Sequence, residues 1–85
     1  MEKQNQDSFW KEITPAGRLL RPSEVISLTG LSRSQIYQMI SDGNFPPFIK
    51  LSTRASALPE SWLDAFVETR AAATLREQKA PETLR

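Results

Sequence analysis

The chain has no cysteine and no histidine, only three glycines, and no long apolar run, and each shortage closes off a class of function. Without cysteine there is no disulfide framework and no zinc finger; without histidine, the usual general base near neutral pH and commonest metal ligand is gone. Ser-His-Asp and Cys-His catalysis are excluded with them. The acids are scattered, and only Glu60, Asp64 and Glu68 share helical spacing, which reads as a solvated helix face rather than an acid-base or metal site. Gly17, Gly30 and Gly43 stand too far apart to build a phosphate-cradling loop. The sequence therefore points to binding, with no catalytic residue, cofactor or metal implied. No stretch approaches the roughly 18 to 20 apolar residues that cross a bilayer, and the opening MEKQNQDS lacks the apolar core of a signal peptide. A cytoplasmic protein without membrane contact is expected.

What is present suits one small domain. The 85 residues are 39% hydrophobic and 25% charged, so a second independent core does not fit. A domain of this size buries roughly 60% of the surface its unfolded chain exposes, and its stability must come from one apolar cluster.

Residues 1–17 are polar, mixed in charge and closed by Thr14-Pro15-Ala16-Gly17, and are expected to form a mobile N-terminal arm. Its two adjacent aromatics, Phe9 and Trp10, either fold back on the domain or anchor a partner. Pro22 and Ser23 open a short helix carrying Val25, Ile26 and Leu28, and Thr29-Gly30-Leu31 ends it. Ser32 and Gln35 then form a capping box, S-x-x-Q, ahead of the apolar set Ile36, Met39 and Ile40. This second helix should stop at Asp42-Gly43. Asn44-Phe45-Pro46-Pro47 forbids helix, and Phe48 to Leu51 predicts a short strand returning through Ala55 to Leu58, a small hairpin or wing with Ser52, Thr53 and Arg54 at its tip. Pro59 is expected to start a longer helix with the stripe Trp62, Leu63, Phe66 and Val67, running to about Leu75 before a C-terminal tail over 76–85, of which Pro81 to Arg85 should fray.

Net charge is only +1, so its distribution carries the electrostatic argument. Residues 18–54 hold five cations against two acids, whereas each flanking segment has one more acid than cations. On a helical wheel the second predicted helix turns Ile36, Met39 and Ile40 inward and shows Ser34, Gln38 and Ser41 outward, flanked by Gln35 and Tyr37. Arg33 stands at its start. These side chains can read base edges: Gln pairs bidentately with adenine, Arg with guanine, and Ser with several edges. The alternatives are a merely solvated helix, an αα-hairpin packed on a third helix, and a wing with two incidental cations.

Arg18-Leu19-Leu20-Arg21, Glu24-Val25, Thr29-Gly30-Leu31-Ser32-Arg33-Ser34, Ile36-Tyr37, Gly43-x-Phe45-Pro46 and Ile49-Lys50-Leu51 follow one another in an order that resembles the AlpA family of phage and prophage regulators. Those are small winged-helix proteins related to excisionases and to the DNA-binding domain of MerR-type regulators. The resemblance covers residues 18 to about 70. It implies a mainly α fold with a small β-hairpin, a winged helix-turn-helix over 18–75. It also implies a double-stranded DNA-binding regulator of a mobile element, acting on transcription of integrase or excision genes or as a recombination directionality factor. Arg33, Ser34 and Tyr37 match the family's recognition-helix pattern. Gln38 departs from it where many members carry a basic residue, and Leu58 and Phe66 stand where members tend to have Trp.

The candidate base readers are thus Arg33, Ser34, Gln35, Tyr37 and Gln38. The candidate backbone contacts are Arg18, Arg21, Ser32, Lys50, Ser52, Thr53 and Arg54. One small winged helix reads few base pairs, so a homodimer or cooperative assembly on repeated sites, and an integrase or other phage regulator as partner, are natural expectations. No small-molecule effector is evident. The competing reading is a protein-interaction module, an antirepressor or adaptor, that uses the last helix together with Phe9 and Trp10.

Overall fold

A computed structural model describes residues 9–77. The elements are a 3₁₀ turn at Phe9–Glu12, β1 (Leu19–Leu20), α1 (Pro22–Thr29), α2 (Arg33–Ser41), β2 (Ile49–Lys50), β3 (Ser56–Pro59) and α3 (Glu60–Glu77). The chain is mainly helical with a small antiparallel sheet, a combination compatible with a winged-helix-like fold.

The sheet has three strands, not the two of a hairpin. β3 is central, pairing Ile49 with Ala57 and Lys50 with Ser56 on one side, Leu19 with Pro59 and Leu20 with Leu58 on the other. Pro59 is accordingly the last residue of β3 and not the first of α3. As a strand end it has no N–H to offer the ladder, and none is needed there.

Local chemistry sets the first two helices. Pro22 occupies the first turn of α1, where its missing N–H costs nothing, and the Glu24 carboxylate accepts the Arg21 N–H at 2.8 Å. At the far end Gly30 adopts φ 77° and donates its N–H to the Ile26 carbonyl, while Thr29 Oγ1 donates to the Val25 carbonyl and accepts from the Leu31 N–H. The link to α2 is therefore short and stitched. Ser32 and Gln35 close the expected capping box, Ser32 Oγ accepting the Gln35 N–H at 3.1 Å and Gln35 Oε1 accepting the Ser32 N–H at 2.9 Å.

No Ser, Thr, Asp or Asn stands immediately before α3, and its first donors are satisfied from a distance. Glu60 N–H donates to the Arg18 carbonyl and Ser61 N–H to the Ala16 carbonyl. Ser61 Oγ donates to the Thr14 carbonyl and accepts from the Ala16 N–H, and Trp62 Nε1 donates to the Ile13 carbonyl at 2.8 Å. Trp10 is buried and meets Phe9 edge to face. Residues 9–17 are therefore a docked strap that caps α3, which corrects the expectation of a mobile arm over this part; residues 1–8, like the expected tail beyond Glu77, lie outside the described residues.

One core joins every layer: Leu20 from β1, Val25 from α1, Ile36 from α2, Leu58 from β3, Leu63 and Phe66 from α3, and Phe45 from the loop between α2 and β2. Leu58 and Phe66, where the resemblance leads one to expect Trp, are both buried. Val67, expected in the buried stripe, is half exposed, and α3 runs on past Leu75 to Glu77 with almost every residue after Phe66 exposed. Among the described residues no helix is long and apolar enough to cross a membrane.

Gly17 is where the strap turns into β1, at φ 83°. A Cβ there would lie 2.7 Å from Glu60 Oε1 and 2.9 Å from Glu60 Cβ, and Glu60 Oε1 already accepts the Arg18 N–H. Gly17→Ala is expected to cost about 2 to 3 kcal/mol, roughly half from the left-handed backbone and half from displacing Glu60. Gly30→Ala, at a similar φ with open space around it, should cost only about 1 kcal/mol. Thermal melts of the two variants check the difference; equal losses would mean that the Glu60 contact yields freely.

Candidate nucleic-acid interface

α2 is nine residues long and offers solvent one continuous polar face. Ile36 is buried, Met39 and Ile40 are half-buried, and Arg33, Ser34, Gln35, Tyr37, Gln38 and Ser41 are exposed. Ser34, Gln38 and Ser41 lie opposite Ile36. Arg33 and Tyr37 fall on the flank shared with Ile40, and Gln35 and Asp42 on the flank shared with Met39. The Tyr37 ring stands 5.8 Å from that of Phe48, tilted by 43°, which ties the first flank to the approach of β2.

That flank opens onto a cleft of about 390 Å³ between α2 and the β2–β3 loop, lined by Tyr37, Ile40, Lys50, Ser52, Thr53 and Arg54 among others. The loop is held in shape: Leu51 and Ser52 both donate their N–H groups to the Ala55 carbonyl, and Ser52 Oγ accepts the Arg54 N–H. Lys50, Ser52, Thr53 and Arg54 are all exposed. The structure thus brings two cations and several hydroxyls beside Tyr37, a set of donors suited to phosphate oxygens; Arg33 lies on the same flank of α2, one turn before Tyr37.

Hydrogen bonding sorts the remaining candidates. Gln35 has its carbonyl oxygen committed to the Ser32 N–H, so its amide holds the helix start and is not free to pair with a base edge on both its groups. The Ser32 hydroxyl accepts within the same box and keeps its proton for a further acceptor such as a phosphate oxygen. The Arg33 and Ser34 N–H groups, lying in the first turn, have no intrahelical acceptor. Gln38 Nε2 donates to Asp42 Oδ1 at 3.2 Å. Arg18 is paired with Glu24 at 3.1 Å, whereas the Arg21 side chain is exposed at the start of α1.

The candidate partner anchors fare differently. Trp10, within the strap, is buried and Phe9 packs against the core, so folding back is the arrangement found. An open, largely apolar groove of about 790 Å³, which sequence reasoning missed, lies between the end of α1 and α3. Leu28, Leu31, Met39, Leu63, Val67 and Arg70 are among its lining residues. Its residues come from four separate stretches of chain, and no local pattern announces it.

Comparison with known proteins adds a family. Residues 18–71 match the family described as the prophage CP4-57 regulatory protein (AlpA). The chain is also similar to an uncharacterized protein, ORF88, of Enterobacteria phage P4. The two are 42% identical over 59 residues, which is 69% of this chain and 67% of that protein. No solved structure matches the chain.

Proposed function

The chain belongs to the AlpA family of prophage regulatory proteins, and from that premise we propose that it is a sequence-specific double-stranded DNA-binding regulator of a phage or mobile element, folded as a winged helix-turn-helix. α2 enters the major groove, its outward residues meet base edges, and the tip from Ser52 to Arg54 grips the adjacent backbone. The regulated event is transcription of integrase or excision genes, or the direction of recombination; both rest on the same readout. The observation that carries the reading is the polar, nearly uncharged outer face of α2 beside a preorganised basic loop. Base edges demand hydrogen-bonding side chains, and the flanking phosphates demand cations.

The distribution of charge sets the expected salt dependence. Arg21, Arg33, Lys50 and Arg54 are exposed cations within the basic segment, while Arg18 is engaged by Glu24. Four phosphate contacts give a slope of log K against log salt of about −3.5 per subunit, a loss of roughly a hundredfold in affinity between 50 and 200 mM salt. Selection from random duplexes, then titration of the enriched site across that range, checks it. A slope near zero would remove the mechanism, and a slope steeper by about one unit would mean that Arg18 leaves Glu24 for the DNA.

A further inference from the structure

Gln38 lies, with Ser34, on the side of α2 opposite Ile36, and of the two exposed α2 glutamines it is the one whose carbonyl oxygen is not used by the helix cap. Its Nε2 donates one N–H to Asp42 Oδ1. Asp42 is itself fixed one turn on, its backbone N–H donating to the Gln38 carbonyl. The bond leaves the amide with one N–H and its carbonyl oxygen, the pair that matches N7 and N6 of adenine in the major groove. An unanchored Gln can swap its oxygen and nitrogen by a half-turn of its last torsion, whereas one whose nitrogen is tied to a carboxylate cannot.

Asp42 stands where electrostatics disfavours an acid. It caps the C-terminal end of α2, where the helix dipole prefers a cation, and it borders a face that, on the proposed function, meets a polyanion. Its contact with Gln38 gives that position a use. We propose that Asp42 is a positioning residue that holds the Gln38 amide in the orientation that reads an adenine. The inference rests on the reading of α2 as the major-groove helix, and adds which base its centre selects and what sets that choice.

The test is selection from random duplex DNA with the full chain and its Asp42→Ala, Asp42→Asn and Gln38→Ala variants, followed by titration of single-base changes in the enriched site. The unaltered chain should prefer adenine at one position by about ten- to a hundredfold. Gln38→Ala should abolish that preference at the same position. Asp42→Ala should reduce it to about threefold or less while leaving the other positions unchanged and raising affinity for unrelated duplex. Asp42→Asn, which still offers a carbonyl oxygen without the charge, should keep the preference while also binding unrelated duplex more tightly. An adenine preference that survives Asp42→Ala overturns the positioning role, and a Gln38→Ala change felt at no position, or a preference for another base there, overturns the assignment to adenine. If the unaltered chain enriches no sequence at all, the reading of α2 as a DNA reader fails and this inference fails with it.

Discussion

Replacing Phe45 by alanine is expected to remove about half of the domain's stability or more. Phe45 is fully buried, and its ring centroid lies 4.6 Å from that of Phe66 at a tilt of 53°. It belongs to the core cluster that joins α1, α2, α3 and the sheet, yet it sits in the loop between α2 and β2. Deleting a ring at such a site costs about 4 kcal/mol, because the lost burial is compounded by a cavity that neighbours fixed in other elements cannot close. Stability for a domain of this size is only about 4 to 10 kcal/mol. A thermal or urea melt followed by circular dichroism should show the midpoint lowered by about 15 °C or more, or no cooperative transition. The same change should abolish duplex binding, since the loop anchored by Phe45 is what sets the basic tip beside α2. A midpoint shift under about 5 °C would mean that α3 and the sheet hold together without this ring.

Phe45 also marks where sequence reasoning stops. The second helix was legible because its determinants are local: Ser32 and Gln35 sit three residues apart, Gly30 precedes them, and Ile36, Met39 and Ile40 repeat at the helical period. Asn44-Phe45-Pro46-Pro47 has no period, so it reads only as a helix breaker, and nothing nearby says that one of its members is the centre of the core. β1 escapes for a related reason. Two residues cannot show alternation, and Leu19–Leu20 is a strand only because Leu58 and Pro59, far along the chain, supply its partner. The candidate interface divides in the same way. The outward face of α2 follows from a wheel, but Gln35 and Gln38 look equivalent on it. They differ only in what their amides touch, Ser32 in one case and Asp42 in the other. Of the strap, only the folding back of Phe9 and Trp10 is legible as an alternative; the rest has the polar composition of a tail, while the bonds that hold it run to Ser61 and Trp62, more than forty residues away.

The strap yields the second large effect. Trp10 is 8% exposed, and its replacement by alanine is expected to lower stability by about 3 kcal/mol, roughly 12 °C or more in the melting midpoint. The loss extends beyond the ring, because the segment it pins also supplies the Ala16 carbonyl that accepts the Ser61 N–H and leads into Arg18, whose carbonyl accepts the Glu60 N–H. Those donors sit at the foot of the helix that carries Leu63 and Phe66 into the core, so freeing the strap uncaps α3. Trp62→Phe separates the two contributions. It keeps most of the apolar surface and removes the hydrogen bond from Nε1 to the Ile13 carbonyl, for an expected loss of about 1 kcal/mol. At a temperature where both variants remain folded, their affinity for duplex should match that of the unaltered chain, because neither residue belongs to the α2 face or the basic loop. A Trp10→Ala midpoint within about 2 °C of the original would show that the strap adds little to the fold. A selective loss of duplex binding in a folded Trp10→Ala variant would instead make the strap part of the interface, and the capping of α3 its means of acting on α2.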